Sequence, residues 1–159
     1  MGKELRRSIS RGRVEPGAVS AVGIWFYSLD SQRYLYLMRN DPKHPSTWGL
    51  PGGKIEFGES LMDTIDRECR EELGGMPDYV SLVPLEKFTS ADHGFEYHTF
   101  FCCVTKEFQP VLNNEHLGYA WVDGGIWPKP MHPGLWSTVN FDVVQEKIAV
   151  VRNRIYMSQ

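Results

Sequence analysis

A chain of 159 residues, 42% hydrophobic and 23% charged with a formal net charge of −3, can bury one core of ordinary size and hardly two. Its 15 glycines and 10 prolines are too few for a collagen-like or low-complexity chain, so disorder throughout is excluded. No stretch reaches the roughly 18 apolar residues of a membrane helix, and no apolar segment follows the basic residues near the N-terminus, so the expectation is a cytoplasmic protein with no membrane partner. Cys69, Cys102 and Cys103 form no Cys-x-x-Cys pair, which argues against disulfides and a zinc site.

Five of the 17 basic residues, Lys3, Arg6, Arg7, Arg11 and Arg13, fall in the first 13 positions and are opposed there only by Glu4. Residues 1–17 therefore read as a basic arm, either a solvated end or a contact for nucleic acid or an anionic surface, ahead of one domain over residues 18–159. The acidic remainder argues against a broad phosphate-tracking surface and suits a protein that gathers divalent cations.

Ala18 to Tyr27 is apolar and rich in β-branched and aromatic residues, and Arg33 to Arg39 alternates polar with apolar, which predicts two antiparallel strands around the loop Ser28 to Gln32. Asn40 to Thr47 carries Pro42 and Pro45 and reads as a loop, followed by the glycine turn Trp48 to Gly53. From Ser60 to Leu73 the residues Leu61, Ile65, Cys69 and Leu73 recur every fourth position, with Ser60 and Asp63 placed as a capping pair and Gly74, Gly75 and Pro77 as the stop. Strands are expected over Val80 to Thr89, Tyr97 to Lys106 and Tyr119 to Val122 in a sheet of mixed order. Trp127 to Gly134, with three prolines, reads as stiff and irregular, and Phe141 to Ile155 as a closing helix through Val144, Ile148 and Val151.

On the first helix Glu68, Glu71 and Glu72 stand at i, i+3 and i+4, on one face. Like charges so close oppose the helix unless a cation sits among them, and hard ions such as Mg²⁺ or Mn²⁺ prefer oxygen ligands. Arg67, four residues before Glu71, could hold one carboxylate in a bidentate pair. Taken alone the cluster is equally a solvated Glu-rich face.

The spacing around it is more specific. Gly53, Glu59, Arg67, Glu68, Glu71, Glu72 and Gly74 match every fixed position of the Nudix box, G-x5-E-x7-R-E-U-x-E-E-x-G-U, a coincidence on the order of one in 10⁸ per starting point at ordinary composition. At the two apolar U positions stand Cys69, a small apolar substitute, and Gly75, a departure that weakens packing after the helix but removes no ligand. The lead-in Trp48 to Glu59 resembles that of MutT-type members, and flanking elements extend the likeness from about Ala18 to Ile155.

The resemblance implies an α/β fold, the Nudix α/β/α sandwich, with a mixed sheet between helices and a loop-helix-loop metal site. It implies metal-dependent hydrolysis of a pyrophosphate bond in a nucleoside diphosphate linked to another moiety, a nucleotide sugar or a (deoxy)nucleoside triphosphate, releasing a nucleoside monophosphate. By that resemblance Glu68, Glu71 and Glu72 bind Mg²⁺ or Mn²⁺, the carbonyl of Gly52 could add a ligand, and Glu59 binds metal or orients the helix. The base is left open among Glu68, Glu72 and Glu115, the last being either a loop residue that joins the site or a solvated one. Arg39 is a phosphate-binding cation or an ordinary strand-end arginine. His93, His98, His116 and His132 lack ligand spacing, although His116 could help beside Glu115, and Trp25, Trp48, Tyr97 and Trp127 could stack on a base or serve the core. An RNA 5′-pyrophosphohydrolase, supported only by the basic arm, and a non-catalytic nucleotide-binding module are the alternatives. A homodimer could form by pairing of the N-terminal strands.

Overall fold

A computed structural model describes residues 19–159, so the basic segment expected over 1–17 lies outside the described residues. Strand β1 (Val19–Ser28) is buried over nearly its whole length and turns through residues 29–32 into β2 (Arg33–Arg39), to which it is antiparallel. The two strands share only the register pair Tyr27 with Tyr34. Into the opening between them fits β4 (Gly52–Lys54), which pairs with β1 at Ala21, Val22 and Gly23, while the short β3 (Trp48–Gly49) pairs with β2. The other edge of β1 runs parallel to β6 (Phe95–Val104) from Val19 to Ser28, and β6 is flanked by antiparallel β5 (Ser81–Thr89). Strand β7 (His116–Asp123) pairs antiparallel with β2, so the seven-stranded sheet is mixed, as its sequence pattern predicts.

Helix α1 (Leu61–Leu73) covers one face of the sheet. Its residues Ile65, Cys69 and Leu73 pack against Val22, Ile24 and Phe26 of β1, with Leu61 at the margin, so the four-residue repeat is the core-facing stripe. Ser60 caps the N-terminus by a reciprocal pair with Asp63, and Gly74 closes the C-terminus at φ 86°. The opposite face carries Trp25 and Tyr27, which alternate with Ile24 and Phe26 along β1 and pack against α2 (Pro133–Val139) and α3 (Asp142–Met157). The three cysteines are buried and free.

Two short strands and α2 differ from the sequence expectation. Gly52 to Lys54 carries no strand signature, and its pairing is set by the gap that β1 and β2 leave. In the proline-rich segment, Pro133 takes the first helical turn, where its missing N–H costs nothing, and the His132 side chain accepts the Gly134 N–H as the cap.

Candidate functional site

Beside the apolar stripe of α1 runs a second stripe, Thr64, Glu68 and Glu72, buried against the β4 turn. Two glycines permit that approach. A Cβ on Gly53 would strike the Glu68 carboxylate, and one on Gly52, whose φ is 146°, would strike the Val22 carbonyl. Gly52 donates its N–H to Glu72 Oε1 at 3.1 Å. The other oxygen, Oε2, is buried without a hydrogen-bond partner among the described residues, 3.6 Å from the equally unpartnered Nδ1 of His116.

Burial raises the pKa of Glu72 well above the carboxylate range, the Gly52 N–H opposing, with the charges of Glu68 and Glu115 adding to the rise. Glu68 is raised too, chiefly by burial and against the pull of Arg67. The His116 imidazole is pushed down to about 4, first by burial and then by the Arg39 guanidinium, so its neutral form offers Glu72 no charge at ordinary pH.

Arg67 organises the rest. Its Nε and Nη2 take both oxygens of Glu59 at 2.7 and 3.0 Å, and Nη1 reaches Glu68 at 2.9 Å and Glu71 at 3.4 Å. The bidentate partner is therefore Glu59, eight residues earlier, and the i+4 contact to Glu71 is single and longer. This fork holds the Glu59 carboxyl down to about 2 and ties the loop before α1 to the helix, with Nη2 also donating to the Lys54 carbonyl. Of the two roles expected of Glu59, this fork is the contact that an orienting one would use.

The expected ligands do not all converge. Glu68 and Glu72 are brought together and buried, Glu71 is exposed, and Glu59 is engaged by Arg67. Among the described residues, no three His, Cys, Asp or Glu side chains are arranged to close around an ion. The residues nonetheless fit a hard divalent cation: the donors are all carboxylate and carbonyl oxygens, and the buried Glu72 Oε2 has no other partner among the described residues.

Glu115 lies in the turn before β7, exposed, its charge felt at Glu72. Arg39 ends β2 opposite His116, its Nε donating to Asp41. Near it His44 and His132 meet edge to face at 4.6 Å, and His132 is lowered to about 4 by burial and then by Arg39. Two of the candidate residues are brought here by pairings between distant segments. His116 reaches Glu72 only because β7 pairs with β2, and Tyr97 lies over Gly23, where a Cβ would strike its ring and hydroxyl. Of the aromatics, Trp25 belongs to the core, and Trp48 and Trp127 pack at its margin. Gly75, at φ 152°, has open space where a Cβ would stand.

A central mixed sheet between one helix and two, with buried carboxylates seated on a glycine turn, is the architecture of the Nudix fold. The family model of the NUDIX domain matches residues 17–137, and the chain belongs to that family. It is 33% identical over 88 residues to the nucleoside triphosphatase NudI of Escherichia coli, an alignment covering 49% of this chain and 62% of that relative. The chain thus spans less than two thirds of the curated relatives it matches. The E. coli dihydroneopterin triphosphate pyrophosphohydrolase superposes with a TM-score of 0.53 at 26% identity, covering 65% of this chain and 80% of that one. The Mycobacterium smegmatis Nudix hydrolase RenU, at a TM-score of 0.65 and 19% identity over 84% of this chain and 86% of that one, shares the fold.

Proposed function

We propose that the protein is a pyrophosphohydrolase that cleaves a phosphoanhydride bond in a nucleoside triphosphate or a nucleoside diphosphate linked to another group, releasing a nucleoside monophosphate. The observation that carries this reading is the buried Glu68–Glu72 pair on the Gly52–Gly53 turn, with one Glu72 oxygen left without a partner. The triphosphate-directed activities named for NudI and for the dihydroneopterin triphosphate enzyme support it.

Glu68, Glu71, Glu72 and the Gly52 carbonyl would hold Mg²⁺ or Mn²⁺. Such an ion, when bound, neutralises phosphate charge and lowers the pKa of water. The chain's own residues supply the remainder. Arg67 fixes α1 against the loop through Glu59, so the two buried carboxylates keep their position. Arg39, half-exposed at the end of β2, meets the phosphates of the substrate. One of Glu68, Glu72 and Glu115 accepts the proton of the attacking water as a new P–O bond forms and the bridging P–O bond breaks.

The test is product detection by mass spectrometry after incubation with nucleoside triphosphates, nucleotide sugars, dinucleotides and 5′-triphosphorylated RNA, with Mg²⁺ and with chelator. Chelator-sensitive release of a nucleoside monophosphate supports the proposal. Turnover of RNA alone assigns the protein to RNA 5′ ends, and nucleotide binding without turnover assigns it to the non-catalytic modules.

A further inference from the structure

Three of the four carboxylates expected at the site share one cation. Arg67 takes Glu59 by its fork and reaches Glu68 and Glu71, but it makes no contact with Glu72. Glu72 is held by neutral dipoles instead. The Gly52 N–H serves Oε1 at 3.1 Å, and His116 Nδ1 stands 3.6 Å from Oε2. The two side chains are 1% and 8% exposed, and each of these facing atoms is buried without a hydrogen-bond partner among the described residues. The Glu68 carboxylate beside them is itself an acceptor once ionised and has no proton to offer Oε2. Buried polar atoms seldom stay unpaired, and here each orphan is the other's natural complement.

The backbone brings them together by an irregularity. Gly118 stands opposite Met38 but His116 opposite Arg39, so Leu117 is an extra residue on β7. This bulge reverses the usual order of burial: Leu117 is turned out, 58% exposed, and the imidazole is turned in. The turn ahead of it is pinned. Asn113 Oδ1 accepts the Glu115 N–H at 2.9 Å, and Asn40 donates its backbone N–H to the Glu115 carbonyl at 3.0 Å and its side-chain amide to the Asn114 carbonyl at 2.9 Å. A bulge that exposes a leucine in order to bury a histidine against a carboxylate re-aims a side chain at a cost in apolar burial.

We propose that His116 is a positioning residue for Glu72: neutral, with its ring proton on Nδ1, it donates to Oε2 of the ionised carboxylate and fixes the direction in which Glu72 meets a divalent cation. A second arginine would hold Glu72 as firmly but would compete with the cation for its charge. A neutral N–H orients the carboxylate and leaves that charge to the ion. The inference rests on the metal-binding reading of Glu68, Glu71 and Glu72 proposed above.

In the test, Mn²⁺ is titrated into the full chain without substrate and the free ion is followed by electron paramagnetic resonance. His116→Leu, which fills the space but has no donor, is expected to weaken binding about tenfold or more. His116→Asn, whose amide N–H can take the place of Nδ1, is expected to recover most of that loss. In the ¹⁵N-histidine-labelled parent with Mg²⁺, His116 should carry its proton on Nδ1 and none on Nε2, a readout that needs no variant to fold. Equal Mn²⁺ affinity in the parent and His116→Leu, an Asn variant as weak as the Leu variant, or a proton on Nε2 in the Mg²⁺-loaded parent would each overturn the inference and leave the metal reading standing. A parent that takes up no Mn²⁺ would overturn the metal reading itself, and this inference with it.

Discussion

Glu72 is held in a pocket that penalises its charge, and burial pushes its pKa up so far that without a cation it keeps a proton at neutral pH. Glutamine has the shape of that protonated acid. Glu72→Gln should therefore leave the melting temperature of the chelated protein nearly unchanged. It should abolish the rise that Mg²⁺ gives the parent and lower kcat by about 100-fold or more, as paired thermal melts and kinetics would check. The two glycines beneath it fail differently. In Gly53→Ala the added methyl displaces Glu68, so activity falls with the fold kept. In Gly52→Ala the methyl meets the Val22 backbone at a φ of 146°, for an expected cost of about 2–4 kcal/mol in a denaturant titration. That Glu68 and Glu72 share one face of α1 is legible in their i, i+4 spacing, which survives any tertiary detail, whereas the roles expected of them and of Arg67 come from the resemblance to the Nudix box. The proximity of His116 and Tyr97 is not legible, because it arises from strand pairings between residues far apart in the chain.

At the scale of elements, α1 is written locally: stripe, cap and stop all lie within Ser60 to Gly75. Ser60→Ala should cost about 1 kcal/mol, measurable by denaturation. Arg67→Lys, which keeps the charge but loses the fork on Glu59, should lower kcat with little change in melting temperature. Helix α2 is obscured in the sequence by Pro128, Pro130 and Pro133, which read as breakers, although the last begins a helix that His132 caps. That cap has a pH signature. Folded, His132 is lowered to about 4 from an ordinary value of 6.5, so the unfolded chain binds its proton first. Stability should be full above pH 6.5 and fall as pH drops from there toward 4, where a protonated Nδ1 can no longer accept the Gly134 N–H. His132→Asn, which keeps an acceptor and cannot titrate, should flatten that part of the stability profile against pH.

For the whole molecule, β1 separates two cores. Ile65 lies in one, under α1, and Ile148 in the other, under α3. Each Ile→Ala change should cost about 2–5 kcal/mol, and because the sites share no neighbours across the sheet the double variant should approach the sum. That β1 is apolar on both sides is plain in its sequence, and it predicts a strand covered on both faces. Its partners are another matter: the parallel pairing with β6 and the opening that admits β4 depend on contacts no local pattern encodes. That arrangement has a consequence during biosynthesis. Strand β1 is the first described element to leave the ribosome, yet its whole-length partner ends at Val104, 76 residues beyond Ser28. At a translation rate of about 5–20 residues per second the nascent chain carries a strongly apolar strand with that edge unpaired for roughly 4–15 seconds. Protection by a chaperone, or the pace of the ribosome through residues 29–104, then governs how much of the newly made protein escapes aggregation.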